Sequence, residues 1–273
     1  MIKISGNSNY NVSIINYNNI KSVLKECFLE EEKIRLKKQI EKHEYFYNNY
    51  EEYIPKIIKQ EESKYIIEYI KSYDMINYLN ICKNSDIDKY IYEIIYLIRK
   101  FIDQSKLVSI EDGPIIHKIN TIKMKLNNYS NNKIIQKGIF YLYENINIFN
   151  HNKIPIGVCH GDMTLSNMLI DYNHYLYLID FLDDFLNSPI MDIIKIRQDI
   201  KYHYILQLYD GKYDKIRIKI IFNYMEQVIN ETFNEYEMFF KYLDIMNFLR
   251  ILQYSKNEKM DQYIIHTIKT ILG

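Results

Sequence analysis

Two carboxylates and one carboxamide stand close together past the middle of this 273-residue chain, at spacings that suit phosphate chemistry. Asp162 follows His160 and Gly161, and Asn167 comes five residues after Asp162. Asp180 then opens an Asp-Phe pair at the end of an apolar run. Carboxylate and amide oxygens are the hard donors that Mg²⁺ prefers. The three side chains could therefore hold Mg²⁺ and a hydroxyl group beside a nucleoside triphosphate.

With these residues the chain resembles the aminoglycoside phosphotransferase and choline kinase superfamily, the small-molecule branch of the protein-kinase-like fold. The motifs that carry the resemblance are His160-Gly161-Asp162 with Asn167, and Ile179-Asp180-Phe181. The likeness follows the chain in order, but only residues 159–199 are specific. That stretch is most similar to bacterial choline- and thiamine-kinase-like phosphotransferases, some of them linked to surface polysaccharide synthesis. It departs from typical aminoglycoside kinases, which tend to show Asp-Pro where this chain has Ser188-Pro189.

The resemblance implies a role for each of these residues. Asp162 would orient the acceptor hydroxyl and accept its proton, while Asn167 and Asp180 would be the metal ligands. ATP and Mg²⁺ are the implied cofactors. In the superfamily the residue at the position of His160 braces the loop by hydrogen bonding, and here no Ser or Cys nucleophile is paired with it.

The N-terminus predicts a strand hairpin, because apolar runs at 2–4 and 12–15 flank a polar turn. In the superfamily such a turn covers the nucleotide, and its backbone N–H groups approach phosphates. This position assigns Ser8 and Asn9 to nucleotide binding. An ordinary turn is the alternative, since Gly6 is its only glycine.

A third short apolar run ends at Lys25, which matches the strand lysine that contacts the nucleotide phosphates in kinases. Lys21 is the nearest competitor, and a solvated lysine is the plainer interpretation. The charged stretch 30–50 predicts a helix, and a kinase-like lobe needs a glutamate there that faces the lysine. Glu41 suits the spacing best, and Glu44 suits it nearly as well.

Residues 64–70 form a short apolar strand that ends in a Glu-Tyr pair. They resemble the hinge strand of the superfamily, whose backbone would bond the edge of adenine. The resemblance therefore assigns Glu68, Tyr69 and Ile70 to nucleotide binding. Taken alone, the pattern indicates only a buried strand.

Long amphipathic patterns occupy most of the chain after residue 74 and predict helices. The expected fold is α+β and bilobal, of the protein-kinase-like kind. Residues 1–70 would form a small β-rich nucleotide-binding lobe with one helix. Residues 71–273 would form a larger, mostly helical lobe with the catalytic loop and the acceptor site.

Composition narrows the function further. The formal net charge is zero and the pI is about 7.0, so nothing marks the chain for nucleic acid or an anionic membrane. Three widely spaced cysteines favour a reducing compartment over a disulfide framework. Charged or polar residues interrupt every apolar run, which predicts no membrane insertion. We expect a cytoplasmic protein whose partners are a nucleoside triphosphate and a small-molecule acceptor.

The short segment after Asp180 lacks the Ala-Pro-Glu anchor of a regulated protein kinase. A small hydroxyl acceptor is therefore favoured over a protein, and an amino alcohol such as choline or a sugar-type metabolite is expected. Two alternatives stay open. One is an aminoglycoside O-phosphotransferase of the same fold, and the other is a kinase-fold binding module without turnover. The intact Asp162, Asn167 and Asp180 argue against the second.

Overall fold

The computed structural model describes residues 2–4 (backbone only), 10–183 and 185–273. Ser8 and Asn9, which are predicted nucleotide contacts, lie outside these ranges. The chain packs as two compact units. The first contains Met1–Glu93 and His160–Asp183, and the second contains Ile94–Cys159 and Asp184–Gly273. The His-Gly-Asp and Asp-Phe motifs thus pack with the N-terminal part. The predicted nucleotide-binding role of residues 1–70 and the predicted catalytic and acceptor-binding role of residues 71–273 stay predictions.

The first unit contains a five-stranded antiparallel sheet in the order β1-β2-β3-β5-β4. Its strands are β1 (Ile2–Ile4), β2 (Asn11–Tyr17), β3 (Ile20–Glu26), β4 (Ile57–Glu61) and β5 (Lys64–Glu68). Asn18 and Asn19 join β2 to β3 with φ values of 49° and 64°. Two-residue hairpin loops require such positive φ angles, which asparagine tolerates well. The predicted N-terminal hairpin and the strand through Lys25 are confirmed.

Helix α1 (Glu30–Asn49) is the helix that the charged stretch predicted. Its Leu36 and Ile40 lie one turn apart and pack in a buried cluster with Tyr10, Cys27 and Tyr65 of the sheet region. Residues four apart share one helix face, so this pair fixes which side of α1 meets the sheet.

A second, three-stranded sheet of the first unit has the order β10-β9-β6. Its strands are β6 (Ser72–Tyr73), β9 (Met168–Asp171) and β10 (Leu176–Leu178), with helices α2 (Met75–Ile81) and α3 (Asn84–Asp103) following β6. The Asp74 side chain caps α2 by accepting from the Asn77 backbone N–H at 2.9 Å. The β9–β10 hairpin confirms the sequence prediction of two strands, at 168–170 and 175–179, joined by a turn at 171–174.

The second unit is mostly helical. It contains the C-terminal part of α3, the strand pair β7 (Lys106–Val108) and β8 (Ile154–Ile156), and helices α4 (Asp112–Lys125), α5 (Lys133–Glu144), α6 (Ile148–His151), α7 (Pro189–Ile200), α8 (Tyr204–Leu208), α9 (Lys215–Thr232), α10 (Glu237–Leu252) and α11 (Glu258–Leu272). Ser188 caps α7 and Pro189 begins it, a favourable pairing at a helix start. Every residue of α7 is buried, its charged residues included.

Cys27, Cys82 and Cys159 are free thiols, and all of them are buried. Across the described residues, none of the helices combines the length and apolar character needed to cross a bilayer.

Candidate active site

The β9–β10 hairpin brings two predicted metal ligands to the same end of a sheet. Met168 pairs with Leu178 in the strand register. One step further along, the backbone N–H of Ile179 donates to the carbonyl of Asn167 at 3.0 Å. Asp180 is the next residue, so strand pairing alone holds Asn167 and Asp180 near each other.

The 160–167 loop folds back on itself through Asn167. The Asn167 Nδ2 atom donates to Asp162 Oδ2 at 3.0 Å and to the Asp162 carbonyl at 2.8 Å. These bonds fix the Asp162 carboxylate, which is half-buried. Among the described residues, none pairs with the Oδ1 atom of Asn167. This oxygen suits the predicted role of metal ligand.

His160 anchors the 160–167 loop from its buried side. Its side chain is fully buried, and its Nδ1 atom accepts from the Asp162 backbone N–H at 3.2 Å. Burial lowers the pKa of His160 to about 4, with smaller effects of the neighbouring charges of Asp162, Lys42 and Asp180. The imidazole is therefore neutral near pH 7, which suits a bracing role.

Gly161 allows two chain segments to come very close. Its φ is +87°, and a Cβ atom at this position would lie 1.8 Å from the carbonyl oxygen of Leu182. The Leu182 backbone N–H donates to the His160 carbonyl at 3.0 Å. Only glycine combines this backbone angle with this approach. The glycine of the His-Gly-Asp motif thus joins the 160–167 loop to the segment after Asp180.

Asp180 forms an ion pair with Lys25. The Lys25 Nζ atom lies 2.8 Å from Asp180 Oδ1, and Lys25 is buried while Asp180 is half-exposed. The Lys25 ammonium also faces the ring of Tyr10, 4.8 Å from its centre. Asp180 has a φ of 62°, in the left-handed region that few non-glycine residues adopt. This turn directs a carboxylate toward solvent immediately before a buried phenylalanine.

Phe181 fixes that turn through aromatic contacts. Its ring lies 4.5 Å from both His160 and Phe46, and 5.4 Å from His43, measured between ring centres. The His43 Nε2 atom donates to the Pro55 carbonyl at 2.6 Å, and burial lowers the pKa of His43. Neutral rings from α1 and from the 160–167 loop therefore enclose the side chain that follows Asp180.

The predicted pairing of Lys25 with Glu41 is corrected. Glu41 is exposed and pairs with Lys37 on its own helix, at 4.0 Å. Glu44, the other candidate, is partly buried, and the described partner of Lys25 is Asp180. The reason is the orientation of α1, whose buried face carries Leu36, Gln39, Ile40, His43 and Phe46.

Two residues of α1 near the site escaped the sequence interpretation. Gln39 is buried one turn before His43, and no described residue bonds its Oε1 atom. Lys42 reaches the segment after Asp180. In the sequence, Gln39 and His43 are four residues apart and lie beside Leu36 and Ile40, a spacing that puts them on one helix face. Polar residues are rarely buried, so this spacing alone does not predict that they face the core.

The predicted hinge residues connect the two sheets of the first unit. Glu68 ends β5, and its backbone N–H donates to the Lys56 carbonyl at 2.9 Å. The Nζ atom of Lys21 lies 3.8 Å from the ring centre of Tyr69, so Lys21 faces the hinge stretch while Lys25 faces Asp180. Ile70 precedes β6 and is partly buried. Adenine binding by these residues stays a prediction.

The donor set suits Mg²⁺ held together with a nucleotide. The described residues contain no group of three or more His, Cys, Asp or Glu side chains that could hold a metal without help. Protein sites for Mg²⁺ commonly use one or two carboxylates together with substrate phosphates. The half-exposed carboxylate of Asp180 and the Oδ1 atom of Asn167 are ligands of this kind.

No family model matches the chain, and no curated protein matches it. Solved structures match nearly all of it. The gentamicin complex of the aminoglycoside phosphotransferase APH(2″)-IIa aligns with a TM-score of 0.60 and 16% identity, covering 99% of this chain and 90% of that chain. Choline kinase LicA from Streptococcus pneumoniae aligns at 0.57 and 14%, covering 98% and 91%. The Plasmodium vivax ethanolamine kinase aligns at 0.56 and 14%, covering 99% and 81%.

These likenesses establish the fold. The chain has a kinase-like fold similar to those of the aminoglycoside phosphotransferase and choline kinase structures, as the His-Gly-Asp and Asp-Phe motifs predicted. The predicted α+β class is confirmed, with a small antiparallel sheet lobe and a larger helical lobe.

Proposed function

We propose that this protein is a small-molecule kinase, which transfers a phosphoryl group from ATP to a hydroxyl group with the help of Mg²⁺. The observation that carries the proposal is the pair of side-chain interactions in the first unit. Asn167 holds Asp162 through two hydrogen bonds, and Lys25 holds Asp180 at 2.8 Å. These residue types, in this order on this fold, meet the requirements of phosphoryl transfer.

Each residue then has a defined task. Asp162 accepts the proton of the acceptor hydroxyl, and Asn167 keeps the Asp162 carboxylate oriented for this step. Asp180 and the Asn167 Oδ1 atom would hold Mg²⁺, which when bound neutralises charge on the phosphates. Lys25 is already beside Asp180 and would contact the phosphates. Because His160 is neutral, it holds the loop without placing a positive charge beside the Asp162 carboxylate.

The acceptor that we propose is an amino alcohol such as choline, or a sugar-type metabolite, and the pathway that we propose for it is surface polysaccharide synthesis. The sequence pattern at 188–199 supports this choice, and a choline kinase and an ethanolamine kinase are among the structural neighbours. An aminoglycoside is the alternative acceptor, because APH(2″)-IIa has been solved with streptomycin and ATP. A binding module without turnover is the alternative from another class.

The test is Mg²⁺-dependent nucleotide consumption by the purified protein. The acceptors are choline, ethanolamine, thiamine, simple sugars and aminoglycosides, with ATP and GTP compared as donors. The Asp162→Asn variant should lose about 10²–10⁴-fold in turnover, the range of general-base assistance. Asp103→Asn is the matched control, because it neutralises an exposed aspartate at the end of α3 to which no role in the reaction is assigned.

The outcomes separate the candidates. Turnover with one acceptor class, lost in Asp162→Asn and kept in Asp103→Asn, supports the kinase and identifies its substrate. Activity confined to aminoglycosides supports the alternative acceptor. Calorimetric binding of Mg·ATP without turnover on any acceptor supports the binding module. A protein that binds no nucleotide contradicts the kinase proposal.

A further inference from the structure

Lys42 of α1 reaches the segment that follows Asp180. Its Nζ atom donates to the Leu182 carbonyl at 2.5 Å and lies 3.8 Å from Asp183 Oδ1. The side chain is only 14% exposed, so its ammonium is largely removed from water. A charged donor on a backbone carbonyl makes a stronger hydrogen bond than a neutral one.

The acceptor of this hydrogen bond lies at the closest approach of the two motifs. The Leu182 carbonyl is the group that excludes a side chain from Gly161, and the Lys42 Nζ atom itself lies 3.2 Å from where a Cβ of Gly161 would be. Leu182 also donates its backbone N–H to the His160 carbonyl at 3.0 Å. One ammonium therefore contacts the point where the 160–167 loop and the 180–183 segment meet.

The same helix offers a contrasting lysine one turn earlier. Lys38 also faces Asp183, with 4.0 Å between Nζ and Oδ2, but its side chain is 62% exposed. Exposed pairs of this kind contribute little, because water screens them. Lys38 thus shares the charge and the carboxylate partner of Lys42 but not its contact with the Leu182 carbonyl.

We propose that Lys42 is a positioning residue for phosphoryl transfer. Its hydrogen bond to Leu182 fixes the end of the turn whose start is Asp180, and through the Leu182–His160 backbone pair it also fixes the loop that carries Asp162. The lysine of α1 thereby connects the helix to the site. In kinases a glutamate on this helix makes that connection, through the strand lysine. Here Lys25 pairs with Asp180 instead, and the helix acts through Lys42.

This inference rests on the proposed function, and its test uses a readout that does not require turnover. Mn²⁺ affinity is measured by electron paramagnetic resonance in the presence of a non-hydrolysable ATP analogue, for wild type, Lys42→Met, Lys42→Arg and Lys38→Met. Lys42→Met should weaken Mn²⁺ binding about 10-fold, the lower end for residues that orient metal ligands. Where an acceptor is known, kcat should fall about 10–100-fold, because small misplacements of reacting groups are costly.

Lys42→Arg should recover part of both losses, because it keeps the charge but changes the donor geometry. Lys38→Met should stay within about twofold of wild type, as expected for a screened surface pair. If Lys42→Met does not fold, Lys42→Gln takes its place and should show the same loss of Mn²⁺ affinity.

A purely structural role would give a different result. A lower melting temperature with unchanged Mn²⁺ affinity and unchanged kcat in the folded variant overturns the proposal for Lys42. Equal losses in Lys38→Met and Lys42→Met also overturn it, since the contact with Leu182 would then be irrelevant. Wild-type protein that binds the Mn²⁺–nucleotide pair but transfers no phosphate contradicts the kinase function, while Mn²⁺ affinity still decides the role of Lys42. Wild-type protein that binds no nucleotide overturns both.

Discussion

Two ion pairs of nearly equal length, one in each compact unit, lie in very different environments. In the first unit, Lys25 and Asp180 are 2.8 Å apart, and the Asp180 side chain is 48% exposed. In the second unit, Arg197 and Asp244 are 2.9 Å apart, and the Asp244 side chain is 1% exposed. The Asp180 carboxylate can therefore gain a further partner from solvent, whereas that of Asp244 cannot.

The buried pair has further partners, although the Arg197 Nε and Asp244 Oδ1 atoms bond no described residue. Asp244 accepts a second hydrogen bond from the Tyr202 hydroxyl at 2.7 Å, and Arg197 donates to Asn230 at 2.5 Å while its guanidinium lies 4.4 Å from the ring centre of Phe240. Burial, together with Asp244, raises the pKa of Tyr202, so this phenol keeps its proton and remains a donor. We infer that the second pair serves the fold and that the first is left open for a ligand.

The largest expected effect is on the buried pair. Asp244→Asn should lower the free energy of unfolding by about 3–5 kcal/mol, because it leaves the Arg197 cation buried without its counter-charge. Urea unfolding monitored by circular dichroism measures the loss. Replacing both partners, as Arg197→Met with Asp244→Leu, should restore much of it, because no buried charge remains. A double variant no more stable than Asp244→Asn would contradict this explanation.

The matched change at the open pair should affect activity instead. Asp180→Asn should cost about 10²–10³-fold in turnover, in line with loss of one group that stabilises charge in the transition state. Its free energy of unfolding should change by about 1 kcal/mol or less, because the pair is half-exposed and the amide oxygen can still accept from Lys25. Phosphate transfer assays and urea unfolding of the same preparation check both parts. A large stability loss with full activity would reverse the assignment of the two pairs.

His160 gives a third test, because a buried neutral group couples stability to pH. Its pKa is lowered to about 4 in the fold, against about 6.5 in the unfolded chain. Between these values the unfolded state binds the extra proton, so stability falls as the pH falls. The contribution of this residue should decrease by about 2 kcal/mol between pH 7 and pH 5.

Urea unfolding at several pH values measures this dependence, and His160→Gln provides the reference without the titrating ring. The stability difference between wild type and His160→Gln should shrink as the pH falls through this window. His43, whose pKa burial also lowers, remains in both proteins and cancels in the comparison. A difference that stays constant with pH would mean that His160 takes up its proton in the folded protein too.

Local signals in the sequence were enough to predict the candidate site and its supporting hairpin. The apolar runs around Asp171 and His174 predicted β9 and β10, and strand pairing then placed Asn167 and Asp180 together. The five-residue spacing of Asp162 and Asn167 predicted a loop, and the structure closes it with hydrogen bonds between them. These features depend on residues near one another in the chain, where pattern and geometry agree.

Contacts between distant parts of the chain were harder to predict. Strand β4 was not foreseen, because its second half is charged and exposed. Leu36 and Ile40 lie on the buried face of α1, and the polar residues Gln39 and His43 share that face. In a helix rich in lysine and glutamate, many glutamates could face the sheet, and only tertiary packing decides which polar residues are buried.

The smallest expected effect concerns this corrected residue. Glu41→Gln should leave turnover within about twofold of wild type and change stability by at most about 0.5 kcal/mol, since it removes only an exposed pair with Lys37. If α1 instead turned Glu41 toward Lys25 during turnover, the same change would cost activity on the scale of Asp180→Asn. Kinetics of Glu41→Gln beside Lys42→Met therefore decide which residue of α1 serves the site. If the helix keeps the orientation described above, only Lys42→Met should show a large loss of activity.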